Sequence, residues 1–203
     1  MMCEKKIPKS VIERLPTYLH YLKSDMFKDN EMVSSVKLAK MVGYGEVLVR
    51  KDLAMVSGTG KPKIGYNKNE LVIKIMEALD CVKMKNAIIV GGSHFDSALL
   101  LDESFSEYNI FIKAKFEINY NGSFNRTNVF PLSDLKDYCK KEDISIGIIT
   151  VGEKDAQAIC DLLVSLNIKA IWNFSPVKLK VPENVKVKEE NMAASLAALA
   201  ANI

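Results

Sequence analysis

Between residues 87 and 173, short apolar runs alternate with helical segments, and this alternation restricts the fold more than any other feature of the chain. Residues 87–90, 110–116, 144–151 and 170–173 read as strands, and residues 97–101, 133–141 and 155–166 as helices. Apolar runs of this kind belong to strands covered on both faces. Strands separated by helices pair in parallel, because each helix carries the chain back to the end of the sheet where the next strand starts. The pattern predicts an α/β domain with a parallel sheet wound in the Rossmann manner. Ligands of such sheets lie beyond the carboxyl ends of the strands.

The loop after the first of these strands is Gly91-Gly92-Ser93-His94-Phe95-Asp96. A dinucleotide fingerprint reads G-x-G-x-x-G at this place, and Gly91 fits it. Ser93 stands where the backbone approaches a pyrophosphate, and Asp96 stands where strand packs on helix. A carboxylate at position 96 can occupy the helix N-terminus that otherwise attracts phosphate. At an effective dielectric of ~20 and a distance of ~5 Å, an unpaired charge there repels a phosphate by roughly 3 kcal/mol before screening. Glu117, at the end of the second strand, is placed to hold ribose hydroxyls.

The first 66 residues differ in kind. Val11, Ile12, Leu15, Leu19 and Leu22 recur at helical spacing, with Pro16 predicting a kink or a late helix start. Ser34 or Ser35 is placed to cap a second helix with Val36, Leu38, Ala39 and Met41 on its inner face. Gly43-Tyr44-Gly45 breaks it, and a third helix over about 46–56 turns Val47, Leu48, Leu53 and Ala54 inward. A short glycine-containing turn between two helices is the helix-turn-helix pattern of DNA readers. Residues 57–66 are too rich in turn formers for a helix and suit a β-hairpin wing. Residues 69–81 read as a further amphipathic helix bridging two domains.

Charge follows the same division. Residues 1–66 hold 12 Lys/Arg against 7 Asp/Glu, and residues 67–203 hold 16 against 18. Positive charge gathered in one small segment is what a phosphate backbone requires. Arg50 and Lys51 on the third helix suit base and phosphate contact, Lys61 and Lys63 flank the wing, and Ser34 adds a hydroxyl at a helix start. Double-stranded DNA is the expected partner. The first 15 residues hold no apolar run and do not read as a secretory signal. No stretch approaches a membrane span. Cys3, Cys81, Cys139 and Cys160 are widely spaced and read as reduced thiols of a cytoplasmic protein, with no metal site.

The stretches VSSVKLAKMVG, VRKDLAMVSGTGKPKIGY and TVGEKDAQAICDLLVSLNIKAIWNFSPVKLKVPENV, with the short apolar tail, resemble the Rex redox-sensing transcriptional repressors over essentially the full length. The resemblance implies a winged helix-turn-helix over 1–80, a Rossmann-type nucleotide domain over 81–190 and a domain-swapped C-terminal helix over 191–203. It implies a homodimer on a palindromic operator, bound at low NADH and released as NADH rises, with NADH/NAD as regulatory ligand. It also implies that Arg50 and Lys51 enter the major groove, and that Thr150, Val151 and Asn173 complete the nucleotide-contacting set. The chain departs from the family at Ser93 and Asp96, at Pro62 on the wing, and at Asn191, Asp102 and His20, where the family carries an Asp–Tyr–Arg relay.

Two alternatives stand beside this reading. One is a repressor of the same family without NADH sensing, because of the altered glycine loop. The other is a small NAD-dependent oxidoreductase, against which the nucleotide fold leaves no residues for a substrate domain. The tail carries Met192, Leu196, Leu199 and Ile203 at spacings of three and four. So apolar a short helix needs a groove, either on a partner or on its own sheet.

Overall fold

The computed structural model describes residues 7–120 and 128–201; Cys3 and Ile203 lie outside them. The chain divides into two units, Met1–Lys83 and Met84–Ile203. The first holds α1 (Lys9–Ile12), α2 (Leu15–Lys23), β1 (Met32–Val33), α3 (Ser35–Val42), α4 (Glu46–Ser57), β2 (Tyr66–Asn67) and α5 (Lys68–Ala78). Pro16 sits in the first turn of α2, where its missing N–H costs no helical bond. The predicted long helix is therefore two helices. Leu15, Tyr18, Leu19 and Leu22 line the buried side of α2, and with Leu38, Val49, Leu53, Leu71 and Ile75 they form the core of this unit. β1 and β2 pair antiparallel, and the wing itself is a tight loop closed by the Lys61–Gly65 bridge. Gly65 has φ +102°, and a side chain there would run into the Val33 carbonyl.

One feature of α4 corrects the sequence reading. Val47 and Leu48, expected inside, are 54% and 40% exposed, and the inward positions are Val49, Asp52 and Leu53. Val36 on α3 is likewise 40% exposed, while Leu38 and Ala39 are buried. The apolar pattern misled because a carboxylate takes an inner position. Arg14 donates to Asp52 through Nε at 2.7 Å and Nη2 at 2.8 Å, and the Tyr18 hydroxyl donates at 2.7 Å. Burial works against the Asp52 carboxylate, but the hydrogen bonds from Arg14 and Tyr18 and the Arg14 charge outweigh it and hold its pKa below the ordinary value. Burial and the neighbouring carboxylate push the Tyr18 phenol upward.

The second unit holds β3 (Lys85–Val90), α6 (His94–Leu101), β4 (Ile110–Glu117), β5 (Val129–Pro131), α7 (Leu135–Lys141), β6 (Ile144–Ile149), α8 (Glu153–Ser165), β7 (Ala170–Asn173), β8 (Lys186–Glu189) and α9 (Met192–Ala200), with 3-10 turns at Glu103–Tyr108 and Leu132–Asp134. Its six strands run parallel in the order β5-β4-β3-β6-β7-β8, the doubly wound order of a Rossmann sheet. Side chains alternate along β3: Ile88 and Val90 enter a core with Phe116, Leu135, Ile159 and Leu163, while Ala87 and Ile89 face Leu99, Trp172 and Phe174. The sequence reading missed β5 and β8. Both are edge strands; β5 has three residues and β8 reads Lys-Val-Lys-Glu, so neither shows an apolar run. Asn191 caps α9, accepting from the Ala194 amide at 2.9 Å. No residue of α9 is buried, so it does not pack back on its own sheet.

Arg14→Ala leaves Asp52 inside with Tyr18 as its remaining side-chain donor. The expected loss is about 3 kcal/mol of stability in the N-terminal unit, read by urea unfolding followed by helical circular dichroism. Because folding lowers the Asp52 pKa, its contribution is complete above the ordinary carboxylate value of about 4 and is lost as pH falls through the lower folded value. Asp52→Asn should flatten that acid dependence.

Candidate functional site

Two concave surfaces gather the residues singled out in the sequence. The first belongs to the N-terminal unit. Ser34 caps α3, its oxygen accepting from the Lys37 amide at 3.1 Å, which leaves the hydroxyl proton free to donate. Gly43 ends α3 in the left-handed conformation, and α4 starts three residues later. At about 100° per residue, Val47, Leu48, Arg50, Lys51 and Met55 fall on the outer side of α4, opposite Asp52 and Leu53. Beside this face lies a groove of about 520 Å³ whose lining includes Ser34, Arg50, Lys61 and Lys63. Four of the five candidate DNA contacts therefore share one concavity. Lys51 is exposed on the same helix but lies outside the groove.

The second surface is a crevice of about 300 Å³ at the carboxyl ends of the central strands, lined by Gly91, Gly92, Ser93, Glu117, Ile118, Asn119, Thr150, Val151, Gly152 and Asp155. Gly91 is held by its amide to the Phe116 carbonyl at 2.9 Å. A side chain on Gly91 would collide with the Thr150 hydroxyl and the Asp96 carboxylate. Asp96 is fully buried and closes a capping box: it accepts from the Ser93 amide at 2.6 Å and the Ser93 hydroxyl at 2.7 Å, and its own amide donates back to Ser93. The expected occupation of the α6 N-terminus by this carboxylate is what the structure has.

The expected unpaired charge is not. Lys115, 2% exposed, brings its ammonium to 3.5 Å from Asp96 and 2.8 Å from Glu117, and donates to the Ser93 carbonyl at 3.2 Å. The repulsion estimated for a lone Asp96 therefore does not apply, since a cation stands against it. Sequence reasoning missed Lys115, although one signal was visible: a lysine inside the apolar strand IFIKAKFE must either reach the surface or find a carboxylate. Glu117 keeps a partly exposed carboxylate beside the crevice.

The remaining candidates sit elsewhere. His94 is exposed at the start of α6, and Phe95 packs edge-on against Phe174 at 5.1 Å; neither lines the crevice. Asn173 is fully buried, its amide donating to the Ser175 and Val177 carbonyls and to Glu189, its oxygen accepting from Ser175. It fixes the loop after β7. Burial raises the Cys139 thiol and, together with the charges of Asp161 and Glu189, pushes Cys160 up to about 11; both are protonated thiols at neutral pH. Among the described residues, no cluster of His, Cys, Asp and Glu suits a metal ion, and no helix is long and apolar enough to cross a membrane.

Residues 6–54 match a family model described as "Putative DNA-binding protein N-terminus", and residues 82–177 match the CoA binding domain. The redox-sensing transcriptional repressor Rex of Porphyromonas gingivalis is 33% identical over 201 residues, covering 98% of this chain and 92% of the relative. That of Clostridium acetobutylicum is 34% identical over 199 residues, covering 97% and 93%. The chain belongs to the Rex family. Among solved structures, a Rex-family repressor named RSP, in complex with β-NAD+ and operator DNA, superposes with a TM-score of 0.86 at 31% identity, covering 97% of this chain and 92% of that one. RSP in complex with β-NADH gives 0.81. These relatives are repressors rather than enzymes, and the resemblance read from the sequence is borne out.

At the positions where the Rex resemblance puts the relay, Asn191 caps α9 and Asp102 accepts from the Ser104 amide at 2.9 Å, in hydrogen bonds that lower its pKa. His20 lies exposed on α2, edge-on to the Tyr21 ring.

Lys115→Met should destabilise the C-terminal unit by about 3–5 kcal/mol, because Asp96 is left inside without its cation. The double variant with Asp96→Ala should lose less than the sum of the two single changes. Unfolding followed by the fluorescence of Trp172, which lies in this unit, measures both.

Proposed function

We propose that this chain is a DNA-binding transcriptional repressor whose hold on its operator is set by NADH and NAD+. The observation that carries the proposal is the groove shared by Ser34, Arg50, Lys61 and Lys63 beside the outward face of α4. It occurs in a chain that superposes on a repressor in complex with operator DNA. On this reading α4 enters the major groove, Arg50 and Lys51 contact bases or phosphates, and Ser34, Lys61 and Lys63 hold the backbone on either side. Two-fold partners require two half-sites, so the operator is palindromic and the working unit a homodimer. The chain acts in the cytoplasm, by binding rather than by turnover.

The nucleotide crevice fits this role. Gly92 leaves open space for close approach, Gly91 lets Thr150 and Asp96 pack against the loop, Glu117 offers an oxygen to a ribose, and Thr150 and Val151 line the same crevice. At the α6 start, the amides of Ser93 and Asp96 are taken by the capping box, so the pyrophosphate is left the amides of His94 and Phe95. Lys115 keeps the seat from carrying an uncompensated charge. Bound nucleotide supplies binding free energy, and it shifts the repressor between states only by the difference in its affinity for them. The exposed α9, with Met192, Leu196 and Leu199 each at least 60% exposed, supports exchange of this helix between subunits.

The double variant Arg50→Ala with Lys51→Ala should lose specific duplex binding in gel shifts, each base contact costing about 1–3 kcal/mol; unchanged shifts would exclude α4 as the reader. Calorimetric titration should find stoichiometric NADH, with NAD+ weaker, and NADH should release the duplex. Asp96→Gly, which vacates the helix start, should raise NADH affinity. If NADH gives no heat and leaves the gel shift unmoved, the chain is a repressor without this ligand.

A further inference from the structure

Resting on the DNA-binding reading of α4, we propose that Val47 and Leu48 read thymine, through its 5-methyl group, in each operator half-site. The two side chains are 54% and 40% exposed on the first turns of the helix, and among the described residues of this unit neither is buried. Exposed apolar side chains are ordinary singly, but these stand among cations: Val47 lies one turn from Arg50 and Lys51, and Leu48 three residues before Lys51. A surface that interleaves apolar and basic groups suits a partner doing the same. The major groove does so, since each thymine sets a methyl group among base acceptors and beside phosphates. An anionic lipid surface would be drawn to the same cations, but the flanking cationic surface is a concave groove, which suits a ridge of phosphates rather than a flat bilayer. The first residues of a recognition helix are also those that meet base edges. Neither Val nor Leu can donate or accept a hydrogen bond, so they distinguish bases by shape alone, and the methyl is the one apolar group on the groove floor.

The test uses full-length protein and the tightest duplex recovered by selection from a randomised library. That duplex is resynthesised with deoxyuridine replacing one thymidine at a time, which removes the methyl and leaves every hydrogen-bonding group. Wild type should lose about fourfold in affinity at one or two positions of each half-site, the equivalent of about 0.8 kcal/mol for burying one methyl-sized group. The Val47→Ala, Leu48→Ala double variant, altered only at exposed positions, should bind the two duplexes equally. Equal binding of both by wild type overturns the inference, as does an unchanged deoxyuridine penalty in the double variant. So does a fall in molecular mass of the double variant by light scattering without any change in the deoxyuridine penalty, which would give these residues to a second copy of the chain. Recovery of no duplex would remove the DNA-binding reading itself, and the inference with it.

Discussion

A carboxylate taken out of water must be met by a cation or by hydrogen-bond donors, or it does not stay ionised. Among the described residues, the chain meets that requirement once in each unit, and both times beside a candidate site. Asp52 receives Arg14 and Tyr18 under α4, and Asp96 receives Ser93 and Lys115 under the strand–loop–helix of the crevice. In each case the pair fixes an orientation that apolar packing alone leaves loose. A Leu at position 52 can slide within a greasy interface; a carboxylate held by a two-pronged guanidinium cannot. With Asp52 pinned inward, the 100° step of the helix fixes which residues look out, and they are Val47, Leu48, Arg50 and Lys51.

The two devices differ in what they leave available. The Asp52 cluster lies wholly behind its helix, so the outer face is free for a partner. The Asp96 cluster lies at the helix start itself, where an anionic ligand of such a fold is received. There the protein has supplied its own anion and its own counter-cation. The N-terminal surface is thus a groove lined by Arg50, Lys61 and Lys63, and the crevice is a site already partly satisfied by its own side chains.

Much of this was legible in the sequence. The alternation of strands and helices determined the parallel sheet, and the Gly43-Tyr44-Gly45 break with Ser34 as cap placed α3 and α4 within a residue or so. The grouping of Ser34, Arg50, Lys61 and Lys63 followed from their elements. Most of what failed has one physical source. Periodicity arguments assume that charge faces out, and at Asp52, Lys68, Asp96 and Lys115 it does not. Asp52 displaced Val47 and Leu48 from the expected inner face, and Lys115 turned inward to meet Asp96, whose place at the helix start was expected. Pairing between residues 14 and 52, or 96 and 115, is a tertiary event, and no local pattern names the partner even where, as at Lys115, a charge inside an apolar strand shows that one is needed. Asn173 misled for the same reason: a polar residue at a strand end looked like a ligand contact, and it proved to be the hydrogen-bonding hub of the next loop. The edge strands β5 and β8 escaped because an edge needs no apolar run.

The self-capped helix start has a thermodynamic consequence for any phosphate that enters the crevice. A helix whose first amides are bare offers them at no cost. Here two are engaged by Ser93 and Asp96, and a cap of this kind is worth about 1 kcal/mol. A ligand that needs those amides must displace the cap, and a ligand content with the next two gives up part of the dipole's field. Either route weakens binding by roughly fivefold relative to an uncapped start. Lys115 bounds the loss from the other side, because its cation, shared with Glu117, offsets part of the long-range Asp96 field. The charge pair thus converts what would be an exclusion into a change of threshold: the ligand must be more abundant before the crevice fills. For a protein that senses a concentration, a threshold is the quantity of interest, and here it is set by two side chains that the ligand need never touch.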